Sequence, residues 1–337
     1  MNGRGSAERR TDRLHPQGEN PITSTDGIAL TVMDAAIEVT DLHKTYRGRR
    51  VGEVRAVDGV SFRVEAGEFF GILGPNGAGK TTTLEIVEGL RRPDGGEVRL
   101  LGRSPWPHSP ELSQRMGVQL QASSFFEFLT VREQIETFAE LYGAGRDRAA
   151  EMLDQVGLSE KAGTRCEKLS GGQQQRLSIA CALVGDPELV FLDEPTAALD
   201  PQARRNLWDL MRSINGEGRT VVLTTHYMEE AEALCDRVAI MDSGRILAVD
   251  SPAELIRGLD APTRVTVAAG QLSEARVKEL AEGGTATSDD EAVVFETRDP
   301  RTLLTALAAD GALEGLAVRT ANLEDVFLHV TGREWRE

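Results

Sequence analysis

The segment Gly74-Pro75-Asn76-Gly77-Ala78-Gly79-Lys80-Thr81 fits the spacing G-x-x-x-x-G-K-[ST] and constrains the fold more than any other part of the chain. It follows the apolar run Phe69–Leu73 and precedes Thr82-Thr83-Leu84-Glu85-Ile86-Val87, which has helical character. A strand, a glycine loop and a helix in that order aim the first N–H groups of the helix at one point, where the helix dipole adds positive potential. The glycines let the backbone close around phosphate oxygens. Lys80 can reach β- and γ-phosphates, and the Thr81 hydroxyl can sit on Mg²⁺.

A second run carries acid. Leu189-Val190-Phe191-Leu192-Asp193-Glu194 is four apolar residues ending in two carboxylates. A buried strand delivers such a pair to its carboxyl end, where α/β folds place their sites. Asp193 is placed to hold Mg²⁺, and Glu194 to polarise a water attacking a γ-phosphate. A third element, Leu169-Ser170-Gly171-Gly172-Gln173, opens the helical pattern Gln174–Ala180. Ser170 is a good N-cap and the two glycines bare the backbone N–H groups, giving a second helix terminus suited to an anion.

With these three motifs in this order the chain resembles an ATP-binding cassette (ABC) nucleotide-binding subunit, in which the run Leu169–Gln173 is the signature. Over residues 36–248 the resemblance implies a P-loop NTPase (RecA-like) α/β core, an antiparallel β subdomain and a helical subdomain near 122–186. It implies ATP and Mg²⁺, with hydrolysis coupled to transmembrane transport. It assigns nucleotide binding to Gly74, Pro75, Asn76, Gly77, Ala78, Gly79, Lys80, Thr81 and Thr82. It assigns the metal to Thr81, Gln121 and Asp193, and hydrolysis to Lys80, Gln121, Glu194 and His226. Gln121 matches the family's Q-loop glutamine through its distance to Thr130, with Gln119 as the alternative. Ala198-Leu199-Asp200 resembles the D-loop, although Ala197-Ala198 departs from the many relatives with Gly before the D-loop Leu. His226 ends an apolar run as the family's switch histidine does, and Tyr46 stands where the family puts an aromatic on adenine, a task for any flat π face. Two anion-binding helix ends on one chain sandwich a triphosphate only by facing one another. A head-to-tail homodimer is therefore expected, closed by ATP and opened by hydrolysis. Ser170, Gly171 and Gly172 then serve in trans, and Gln173 and Asp200 are counted with the nucleotide-binding residues.

The length of 337 residues corresponds to about two domains at roughly 150 each. Residues 1–35 read as a disordered polar extension, with Met33 as an alternative start. Residues 249–337 read as a small α+β domain, with strands at Arg264–Val267 and Ala292–Phe295 and helices at Glu274–Leu280 and Arg301–Leu307. This last part carries 17 acidic and 9 basic residues, half of the net charge of −16. Such acidity argues against a nucleic-acid partner, which wants a basic footprint. Cys166, Cys181 and Cys235 have no zinc spacing and read as buried hydrophobes. No apolar run approaches the ~18 residues of a membrane span, and no leader-like apolar core opens the chain. Transport therefore requires a separately encoded permease, with this chain peripheral at the cytoplasmic face of the membrane.

A finer resemblance lies in Asp200-Pro201-Gln202-Ala203-Arg204-Arg205-Asn206-Leu207-Trp208, in Thr225-His226-Tyr227-Met228-Glu229-Glu230-Ala231-Glu232 and in the ending Asn322–Arg333. These phrases are similar to bacterial multidrug exporters of the daunorubicin-resistance type. They imply export of drug-like or other hydrophobic compounds, and antibiotic resistance. An importer subunit and a soluble ABC-type ATPase are the alternatives. Phe125, Phe126, Phe128 and Leu129 follow Gln121 as an apolar cluster, which reads either as a docking patch for the permease or as packing within the helical subdomain.

Overall fold

The computed structural model describes residues 35–48, 52–120 and 125–332. The polar extension up to residue 34 and Gln121 lie outside the described residues. The first part comprises β1 (Ala35–Gly48), β2 (Gly52–Glu65), β3 (Phe69–Leu73), α1 (Lys80–Val87), β4 (Gly95–Leu100), α2 (Pro110–Ser113) and β5 (Met116–Gln119). Three helices follow, α3 (Val131–Leu141), α4 (Arg146–Gln155) and α5 (Gly171–Leu183). Strands and helices then alternate as β6 (Leu189–Asp193), α6 (Pro201–Gly216), β7 (Thr220–Thr225), α7 (Met228–Leu234) and β8 (Arg237–Asp242), closed by β9 (Arg245–Asp250) and α8 (Pro252–Gly258).

Six strands make the central sheet in the order β5-β6-β7-β3-β8-β9, parallel except for the antiparallel edge strand β9. Its strands are apolar on both faces because both faces are covered. Phe70, Ile72, Phe191, Val222 and Met241 face α1 and the antiparallel sheet β2-β1-β4. Phe69, Leu73, Val190, Leu192 and Ile240 alternate with them and face the helical side. The period of two thus divides one sheet between two cores. Local signals set the helix starts. Thr130 and Glu133 form a capping box at α3, Ser170 and Gln173 another at α5, and the Asp200 carboxylate caps α6.

Beyond α8 lie β10 (Thr263–Ala268), α9 (Glu274–Leu280), β11 (Thr285–Ser288), β12 (Ala292–Thr297), α10 (Pro300–Ala309), β13 (Ala317–Arg319) and α11 (Leu323–Thr331). The strands form an antiparallel sheet in the order β11-β12-β10-β13, so β10 to β13 with their two helices make a ferredoxin-like βαββαβ unit. It has its own small core of Val265, Val267, Val293, Phe295, Leu303, Leu307 and Ala312. The final helix does not join that core. Leu323, Val326 and Phe327 are buried in the core on the helical side of the central sheet, and the Leu323 N–H donates to Glu232 Oε1 of α7 at 2.8 Å.

Candidate active site

The loop after β3 is tightly enclosed. Gly79 caps α1 at φ 105°, and a Cβ there would lie 2.1 Å from the Ala56 carbonyl oxygen of β2. A Cβ on Gly74 would lie 2.2 Å from the Met241 carbonyl oxygen. Backbone packs against backbone at both points, so only glycine fits. Lys80, buried at the first turn of α1, donates to the carbonyls of Gly74 at 2.9 Å and Pro75 at 3.2 Å, and its Nζ lies 3.1 Å from Glu194 Oε1.

The acids arrive on β6, beside β7. The Thr81 hydroxyl donates to Asp193 Oδ1 at 3.2 Å, and the Thr224 hydroxyl donates to the same oxygen. Burial pushes the Asp193 carboxyl up, and these two hydroxyls pull it partly back. Hard oxygens of this kind, one a buried carboxylate short of compensating charge, suit Mg²⁺. Asp193 and Thr81 would hold it. Glu194 turns into the left-handed region at φ 46°, held there by its N–H donating to Thr224 O and Oγ1, both at 3.1 Å. Backbone held in that region is strained for a residue other than glycine and clusters at functional sites. His226, at the end of β7, brings Nδ1 to 3.4 Å from Glu194 Oε2. Lys80, Thr81, Asp193, Glu194 and His226 therefore form one contiguous group.

Tyr46 is on β1, opposite Val54 of β2, with the Arg91 guanidinium 5.4 Å from its ring centroid. Val54 is two residues from Ala56, whose carbonyl abuts Gly79, so the antiparallel sheet presents its aromatic beside the phosphate loop. Ser170, Gly171, Gly172 and Gln173 line a separate open groove of about 220 Å³ with Leu199 and Asp200. Signature and D-loop thus share one surface that contains no residue of the phosphate loop. Gln119 is fully buried, its amide donating to Leu120 O at 2.6 Å and Gln175 Oε1 at 3.3 Å, which makes it a link between β5 and α5. The phenylalanine cluster divides. Phe125 packs against the helical core, whereas Phe126 and Phe128 are exposed, Phe128 at φ 69° with Arg165 over its ring.

Two residues of this region escaped the sequence reading. Thr224 bonds both acids; its signal was a polar pair, Thr224-Thr225, at the end of an apolar strand. Glu88, the C-cap of α1, is buried, its Oε1 has no hydrogen-bond partner among the described residues, and desolvation pushes its carboxyl up to about 8. This acid ionises more readily unfolded than folded. The folded state binds the extra proton between about pH 4.5 and pH 8, so stability contributed by the neutral form falls as pH rises through that window. Glu88→Gln is expected to remove that slope and to be the more stable protein at pH 8. Urea unfolding at pH 5 and pH 8 checks this; parallel pH profiles for the two proteins would contradict it.

The fold and this site define a P-loop nucleoside triphosphatase. A family model for the ABC transporter matches residues 57–197, and one for the C-terminal domain of the nodulation factor export protein NodI matches residues 279–332. The chain is 40% identical to the Nod factor export ATP-binding protein I of Ralstonia nicotianae over 298 residues, covering 86% of this chain and 93% of the relative. It is 39% identical to the protein of the same name from Burkholderia orbicola, covering 86% and 96%. A dimeric ATP-binding cassette in a post-hydrolysis state bound to ADP and Pi is similar at 29% identity and TM-score 0.59, over 64% of this chain and 98% of that one. This chain belongs to the ABC transporter family, as an ATP-binding cassette protein that hydrolyses ATP. The sequence relatives are named for Nod factor export rather than drug resistance. The expectation of a daunorubicin-type multidrug exporter therefore gives way to the broader assignment. Among the described residues no helix is long and apolar enough to cross a membrane.

Proposed function

We propose that this chain is the ATP-hydrolysing subunit of an ABC exporter, working at the cytoplasmic face of the membrane with a separately encoded permease. The observation that carries the reading is the contiguous group Lys80, Thr81, Asp193, Glu194 and His226, in a chain 40% identical over 298 residues to a Nod factor export ATP-binding protein. In this reading residues Gly74 to Thr82 cradle the triphosphate and Tyr46 stacks on the adenine. Asp193 and Thr81, with Gln121, hold Mg²⁺, which neutralises charge on the phosphate oxygens. Glu194 takes the proton of the attacking water as its oxygen bonds to the γ-phosphorus. The bond to the bridging oxygen breaks, and ADP and inorganic phosphate leave. His226 orients the γ-phosphate. A second copy, head to tail, supplies Ser170, Gly171, Gly172 and Gln173, with Asp200 beside them. The cargo is of the kind the Nod factor exporters carry rather than drug-like; the likeness through residues 279–332 supports this.

Copurification from membranes of the source cell tests the reading. A polytopic membrane protein is expected to come down with the chain, and recovery of soluble partners alone would overturn the exporter. The exposed Phe126 and Phe128 are the proposed permease contact. Phe126→Glu is expected to lose the permease while still binding ATP; undiminished copurification would rule the contact out.

A further inference from the structure

A second group of side chains stands behind His226. Tyr227 packs its ring against the imidazole, with centroids 4.1 Å apart, and the Arg204 guanidinium lies 4.0 Å from the centroid of the Tyr227 ring. Arg204 belongs to the first turn of α6, its N–H donating to Asp200 O at 2.9 Å. Its Nε is buried without a hydrogen-bond partner among the described residues. The Tyr227 ring face and the fully buried Glu230 carboxylate both attract this cation. Glu230 is fixed in turn by the Trp208 indole N–H at 3.0 Å. His226 Nδ1 likewise makes no hydrogen bond among the described residues, and its polar contact is the Glu194 Oε2 atom at 3.4 Å. The ring contact with Tyr227 adds a second restraint on the imidazole.

We infer that Arg204 and Tyr227 are positioning residues for hydrolysis, holding the His226 ring at Glu194 and tying it to the first turn of α6. That turn has two faces. Asp200 and Ala203 line the groove shared with the signature, while Arg204 reaches back to the Tyr227 ring that packs on the histidine. A nucleotide clamped at the groove by a second copy would load the same turn that fixes the imidazole. The inference rests on the proposed role of His226.

The test is single-turnover hydrolysis of Mg²⁺-ATP by the full chain, with affinity read separately by trinitrophenyl-ATP fluorescence. Tyr227→Leu is expected to slow hydrolysis about tenfold and Arg204→Met about fivefold, with affinity changed by less than about twofold. Tyr227→Phe, which keeps the ring, is expected to hydrolyse at the wild-type rate. In a His226→Ala background neither Tyr227→Leu nor Arg204→Met should cost anything further. Wild-type turnover in Tyr227→Leu beside a crippled His226→Ala would overturn the inference alone. So would an undiminished effect of Tyr227→Leu in the His226→Ala background, or a parallel loss of nucleotide affinity. Wild-type turnover in His226→Ala would overturn the reading of the site, and the pair's role with it.

Discussion

Glu194→Gln is expected to bind ATP and to hydrolyse it about 10²–10⁴-fold more slowly than the wild type, the range a positioned general base contributes. The amide fits the carboxylate's space and keeps an oxygen as acceptor toward Lys80, which also has the Gly74 and Pro75 carbonyls. Its backbone anchors on Thr224 use no side-chain atom of residue 194. What the substitution removes is the ability to take a proton from water. Binding without hydrolysis should then hold two copies together, so that ATP shifts Glu194→Gln to a dimer on size exclusion while the wild type returns to monomer as ATP is consumed. A variant that hydrolyses within about tenfold of wild type would assign the base elsewhere. One that binds no ATP would point to a structural role for the carboxylate.

The parts of this site that the sequence made legible are those where one local rule decides the outcome. A glycine loop between an apolar strand and a helix has few other folds, and Gly74 and Gly79 meet backbone atoms that exclude a side chain. Ser170 and Thr130 cap helices by bonds spanning three residues, which spacing reveals, whereas the cap at Asp200 came only from the structure. What was not legible depends on packing between distant segments. Glu88 follows a helical run as an exposed acid would, yet it is buried. Tyr227 gains its meaning from Arg204, 23 positions earlier in the chain, on another helix. Arg264–Val267 and Ala292–Phe295 announced their strands by β-branched and apolar residues, whereas Thr285–Ser288 and Ala317–Arg319 are short edges with little burial to pattern them. The ending Leu323–Thr331 reads as the close of the C-terminal domain, but its apolar face belongs to the cassette core, which no local pattern states.

Lys80→Met separates the lysine's part in stability from its part in binding. The ammonium and the Glu194 carboxylate are both buried, with side chains 4% and 8% exposed. Removing one member of a buried ion pair costs ~3–5 kcal/mol, because the other charge remains in a poorly solvated place. The unliganded variant should therefore unfold at lower denaturant than wild type. Glu194→Gln should not, since Lys80 keeps two carbonyl acceptors. The double variant Lys80→Met/Glu194→Gln removes both charges and should recover most of the lost stability, a coupling that a double-mutant cycle reads directly. Nucleotide moves the same measurement the other way. At a hundred times the dissociation constant a ligand adds ~2.7 kcal/mol, so Mg²⁺-ATP should shift the wild-type and Glu194→Gln transitions upward. Without the ammonium to meet the β- and γ-phosphates, both Lys80→Met proteins should show no shift at that concentration. Recovery of stability without recovery of the nucleotide shift would establish that the phosphate loop folds around a charge pair which the triphosphate then divides. Additive losses in the cycle would instead mean that Lys80 is held by its carbonyls alone, and that Glu194 stands near it without sharing its charge.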